Sequence, residues 1–251
     1  MFESIVHLPL SFATFQDLFH SPTMTDIARV FLRWAHFVAG ITWIGMLYFF
    51  NLVNVNFMKA LDGPTKKVVV PALMPPALWY FRWGAVVTVL AGLTYYAMYI
   101  LSADAHNAGV NVWIVLVVWL LIGIITWLIY FLILPMVAKD GRVVAAVVIV
   151  LAIGMSAAII WWLNSQLGSY GSNKSFSIGI GGAMGLIMLL NVWGIIWPAQ
   201  KRIIAGTISG DPAPPELARK AFLASRTNAW LSLPMLFFMA TSHGDYVVFG
   251  K

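Results

Sequence analysis

The sequence contains no cysteine. That excludes structural disulfides, thiolate-ligated zinc, iron–sulfur clusters and covalently attached c-type haem. Any metal or redox centre on this chain therefore needs histidine, methionine, carboxylate or backbone ligands. Charge is scarce as well: 10% of the 251 residues are charged and 61% are hydrophobic, whereas soluble domains are roughly a quarter charged. This is the balance of an integral membrane protein. Strand-like alternation is missing, which favours a helical bundle over a barrel. No Walker A loop, HExxH, GxSxG or dinucleotide fingerprint is present. The run GIGGAMG (179–185) lies inside an apolar span with no following lysine, so close helix packing by small residues accounts for it. The amino terminus, MFESIVHLPL, lacks a basic region, apolar core and cleavage site, and is expected to be retained.

A spanning helix needs ~20 mostly apolar residues. Six segments qualify, at about 27–55, 79–101, 112–135, 142–163, 176–198 and 217–241. The expected fold is an all-α polytopic transmembrane bundle in a single domain (1–251). Residues 1–26 form an external segment, 59–78 a cytoplasmic or interfacial connection, and 199–216 a cytoplasmic loop. Between the first two spans, VVVPALMPPALWYF (68–81) reads as too proline-broken to span, and is expected to be interfacial or re-entrant. The cluster GTISGDPAPPE (206–216) separates the last two helices.

Lysine and arginine crowd alternate connections. Lys59, Lys66, Lys67 and Arg82 flank the first, Lys139 and Arg142 the third, and Lys201, Arg202, Arg219 and Lys220 the fifth. The positive-inside rule then makes both termini of this multi-pass membrane protein external. The net charge of +6 reflects loops beside anionic lipid and not nucleic acid. All five histidines, His7, His20, His36, His106 and His243, fall on or nearest the outer side. Asp104 and Asp245 read as solvated external acids.

Steps of three and four residues share a helix face. Arg29, Arg33, His36, Gly40, Trp43, Leu47, Asn51 and Asn54 keep that rhythm, as do Asn228, Ser232, Met235, Met239 and His243. Such a stripe belongs against protein or water, since ionisable groups in hydrocarbon cost several kcal/mol. Gly40, one turn below His36, leaves room for a planar macrocycle or a closely packed helix. Two histidines on different helices can ligate haem b, so His36 and His243 are the candidate metal ligands. Arg29 and Arg33 would pair with propionates, and Gly40 and Trp43 complete the candidate cofactor site. His36 lies about 13 Å into its helix at 1.5 Å per residue, whereas His243 falls at the boundary, so the sequence leaves a gap in depth between them. The alternative for His36 is a structural bond to a neighbouring carbonyl, with Arg33 reaching the headgroups.

Three stretches carry a family resemblance: LRWAHFVAGITWIGMLYFFNLVNVNFM (32–58), NVWGIIWPAQKR (191–202) and SRTNAWLSLPMLFFMATSHGDY (225–246). They resemble the membrane domain of the bacterial membrane-bound urate oxidase, or urate hydroxylase, family. The resemblance implies oxidation of urate to 5-hydroxyisourate, with electrons leaving through a cytochrome c domain. This sequence has no CxxCH, so the resemblance implies a separate external cytochrome c as partner. The positions it carries over are Arg33, His36, Trp43, Asn51, Arg226, Asn228 and His243. Of these, Arg33, Arg226 and Asn228 would bind or orient an anionic purine. A non-catalytic haem b-binding or structural subunit of a larger membrane electron-transfer complex is the alternative reading. A permease fits less well, because no internal repeat is evident.

Overall fold

Capping residues stand where the helices begin. In the computed structural model, which describes residues 22–243 and 248–250, Thr23 and Asp26 form a reciprocal capping box at the start of α1 (Met24–Ala60). Asp62 accepts from the Thr65 amide at the start of α2 (Gly63–Asn107). Asn111 caps α3 (Val112–Val137), Asp140 caps α4 (Gly141–Tyr170), and Ser172 caps α5 (Asn173–Ser209). Pro214 precedes α6 (Pro215–Thr241) without a side-chain cap. Each cap satisfies amides that have no partner in the first turn. At the other end of α3, Arg219 donates from Nε to the Ala138 carbonyl and from Nη2 to the Lys139 carbonyl, placing a cation where the helix dipole is negative.

The chain is therefore an all-α polytopic bundle, and five helices, α1 to α5, are long and apolar enough to cross a membrane. The expected sixth span is a helix too, but it lies below the apolar composition of the others because Glu216, Arg219, Lys220 and Arg226 crowd its first half. α6 runs antiparallel along α5. Near one end the Met235 carbonyl lies 3.1 Å from where a Cβ on Gly181 would stand, and further along Asn228 bonds to Asn191. The glycines of GIGGAMG thus let α6 approach closely. α5 is the central helix, with 67% of its most apolar window buried.

Two sequence expectations are corrected. VVVPALMPPALWYF is not a broken segment: Pro71, Pro75 and Pro76 lie inside α2, a continuous helix of 45 residues. Met74, Ala77, Leu78 and Phe81 are buried at helical spacing, and that packing outweighs the lost amide donors. Asp104 is not solvated either. It is buried in the last turns of α2 and accepts from the Ser172 amide, the Ser172 hydroxyl and the Ser175 hydroxyl at 2.8, 2.7 and 2.6 Å. His7, His20 and Asp245 lie outside the described residues, and His106 is exposed.

Three helices widen into π turns, at Phe49–Asn54, Tyr96–Leu101 and Val192–Ile196. Each has a local competitor for a main-chain carbonyl or donor. The Asn51 amide donates to the Leu47 carbonyl at 2.9 Å, the Ser102 hydroxyl donates to Met98 at 2.6 Å, and Pro198 brings no amide hydrogen to α5.

Candidate functional site

The first-helix stripe splits in two. Asn51 and Asn54 are buried packing residues; Asn51 donates to the Ser225 hydroxyl at 2.9 Å. Arg33, His36, Gly40 and Trp43 instead line a cavity of about 620 Å³ enclosed by α1, α2, α3, α5 and α6. Met235, Met239 and His243 of α6 line the same cavity. The volume lies in the ~300–1,000 Å³ range of small-molecule and cofactor sites, which are mostly apolar with a few placed polar groups.

The depth gap between the two histidines closes in the fold, where both line the one cavity. α1 begins at Met24, three residues earlier than periodicity alone indicates, and its first turns stand largely exposed. Within those turns Arg29 and Arg33 pack on Tyr99 and Tyr95 of α2.

His36 Nδ1 lies 2.8 Å from the Thr88 carbonyl. A carbonyl only accepts, so Nδ1 carries the proton and Nε2 of the neutral ring keeps its lone pair. The close approach of α1 and α2 depends on Gly92, where a Cβ would stand 2.7 Å from His36 Nδ1. His243 has the same arrangement: Nδ1 lies 3.1 Å from the Met239 carbonyl and 2.7 Å from the Ser242 hydroxyl, which itself donates to Met239. Both rings are thus held through Nδ1, as metal-ligating histidines are.

Two aromatic walls are fully satisfied. The Tyr96 hydroxyl donates to the Ser175 carbonyl at 2.9 Å, and Trp119 Nε1 donates to the Gly179 carbonyl at 2.8 Å. Trp43 differs: it is 1% exposed, lines the cavity, and its Nε1 has no hydrogen-bond partner in the protein. A buried donor without an acceptor costs about 1–3 kcal/mol, so this indole is an uncompensated polar group in the wall. Gly185 faces open space where a Cβ would meet nothing within 4 Å. Arg33, exposed, packs its guanidinium 6.0 Å from the Tyr95 ring, and both residues line the cavity.

The remaining candidates stand elsewhere. Arg29 stacks over Tyr99 at 4.9 Å and is not part of the cavity wall. Arg226 packs on Phe222, some 25 Å along α6 from His243 by helical rise. Asn228 is fully buried and committed: Asn191 Nδ2 donates to its Oδ1 at 2.8 Å, and its own Nδ2 donates to the Met188 carbonyl at 2.9 Å. Trp127 Nε1 completes this chain on Asn191 at 3.0 Å. The three-and-four rhythm grouped Asn228 with His243 and the family resemblance added Arg226, but depth separates both from that histidine. Asn228→Ala is accordingly expected to lower stability by about 1–2 kcal/mol, measured by unfolding in detergent, while leaving ligand affinity at the cavity unchanged. Periodicity did not reveal Thr88 and Gly92, whose spacing of four is the only local sign that they share a face.

A family model described as "Urate oxidase N-terminal" matches residues 61–250. Arg226, Asn228 and His243 lie within the match; Arg33, His36, Gly40 and Trp43, all on α1, precede it. No curated protein matches the chain, and no solved structure matches it.

Proposed function

Because the chain belongs to the urate oxidase N-terminal family, we propose that it is a membrane oxidoreductase whose α1–α6 cavity oxidises urate to 5-hydroxyisourate. The observation that carries this reading is the meeting of His36 and His243 in one cavity, each tethered through Nδ1 with Nε2 left as a ligand. The reaction consumes urate and water and yields 5-hydroxyisourate, two protons and two electrons. The electrons leave to a c-type cytochrome carried outside these residues, since a chain without cysteine cannot attach that haem. By the positive-inside rule the cavity faces the outer side of a bacterial inner membrane, where such a cytochrome would dock.

The donor set fits haem b. His36 and His243 would hold it through Nε2, and Gly185 leaves open space for a flat ring, whereas Gly40 packs on the Thr88 side chain. Bound haem b supplies an iron that accepts and passes on one electron at a time. The protein's own groups do the rest. Arg33 attracts the urate anion or pairs with a propionate, Trp43 Nε1 donates to an acceptor oxygen of the occupant, and the apolar walls exclude water.

The test is urate-dependent reduction of added cytochrome c by the purified protein. Reduction should follow urate concentration and fall at least about 100-fold in His36→Ala, because the ligand and not its surroundings is removed. A chain that binds haem yet reduces no cytochrome at saturating urate would instead be a non-catalytic haem subunit.

A further inference from the structure

The motif NVWGIIWPAQKR contributes nothing to the cavity, yet it builds a second polar cluster with α2. The Arg82 guanidinium stacks 3.8 Å from the Trp197 ring and 5.9 Å from the Trp193 ring. Lys201 Nζ lies 5.5 Å from the same Trp197 ring. Trp83 meets Trp193 edge-on at 5.5 Å. Two buried donor atoms here have no partner in the protein, Arg82 Nε and Trp193 Nε1. Neither Arg82 nor Lys201 has a carboxylate partner among the described residues, whose salt bridge is Arg202 with Asp211. The π turn Val192–Ile196 carries Trp193 into this position, and such turns are frequent at functional sites.

The depth of the cluster identifies the ligand. Trp193 lies about 30 Å along α5 from Asn173 by helical rise, one hydrocarbon thickness. It therefore sits at the bundle end rich in lysine and arginine, opposite the cavity. Exposed Trp79 and Tyr80 flank it on α2, as aromatics do at headgroup level. Two cations and an indole donor at that depth need an anion with several acceptor oxygens, reached from the bilayer plane.

We propose that Arg82, Trp193, Trp197 and Lys201 form a binding site for the phosphate of an anionic phospholipid of the cytoplasmic leaflet. Arg82 Nε and Trp193 Nε1 donate to phosphate oxygens, Lys201 supplies the second charge, and Trp197 holds the guanidinium flat by cation–π stacking. Basic pockets between membrane helices on the cytoplasmic side bind such headgroups. The site is independent of the urate reading.

Lipid retention by the intact, detergent-purified protein tests this in native mass spectrometry. Short-chain phosphatidylglycerol, phosphatidylcholine and inorganic phosphate are offered separately. The wild type should retain phosphatidylglycerol about tenfold better than phosphatidylcholine. Trp193→Phe, which removes one N–H and keeps the ring, and Arg82→Gln should each erase most of that preference. Lys139→Gln, outside the cluster, should leave it intact. The idea is overturned if wild type and Trp193→Phe retain the two lipids equally. Binding of inorganic phosphate without any preference between lipids would likewise overturn the lipid assignment. Circular dichroism of each variant separates site loss from misfolding.

Discussion

Gly92→Ala is expected to abolish binding of the proposed haem although both proposed ligands, His36 and His243, are still present. The added Cβ would stand 2.7 Å from His36 Nδ1 and 2.8 Å from its Cε1, distances no real side chain tolerates. The imidazole has to swing off the Thr88 carbonyl, losing the 2.8 Å bond that fixes its tautomer and direction. Loss of such an orienting bond typically costs about 10- to 100-fold in ligand affinity. The sign of the folding effect makes the result readable, because alanine in a helix interior is favoured over glycine by about 1 kcal/mol. The variant should therefore keep its helix content while haem per protein falls. Gly154→Ala, on α4 with nothing within 4 Å of the new Cβ, is the control that gains propensity without a clash. Undiminished haem content in Gly92→Ala would show that His36 does not depend on this contact.

The second large effect concerns Asp104. Its carboxylate accepts three bonds from Ser172 and Ser175, at the N-terminus of α5, where a negative charge also meets the helix dipole. It ties the end of α2 to the start of the central helix, whose Gly182 and Gly185 form part of the cavity wall. Asp104→Ala leaves those three donors unpaired and should cost about 2–4 kcal/mol, seen as unfolding at lower denaturant in detergent. Asp104→Asn keeps one acceptor oxygen and should cost roughly half as much. A variant as stable as the wild type would mean that water replaces the carboxylate there.

The sequence made some of this legible and hid the rest for identifiable reasons. The three-and-four rhythm of Arg33, His36, Gly40 and Trp43 reported a face correctly, because periodicity encodes direction around a helix. It says nothing of depth, which is why Asn228 was grouped with His243 although it lies far along α6. The three interior prolines of α2, Pro71, Pro75 and Pro76, read as breaks when each lost amide is counted alone. Their φ is itself helical, and the buried Met74, Ala77, Leu78 and Phe81 carried the helical period between them. Asp104 read as a loop acid because its donors are distant in sequence. The orphaned donors of Trp43, Arg82 and Trp193 are properties of packing, invisible until the helices are assembled. Family membership is supported by the match over residues 61–250, and the cavity joins that region to α1, which lies outside it.

The central claim is that His36 and His243 share one haem b across the cavity. The reduced-minus-oxidised absorption spectrum of the purified protein, compared with His36→Ala and His243→Ala, tests it most directly. The account predicts a b-type spectrum in the wild type that is lost or converted to a one-histidine form in either variant alone. A spectrum unchanged by both substitutions, or no haem spectrum in the wild type, would contradict it.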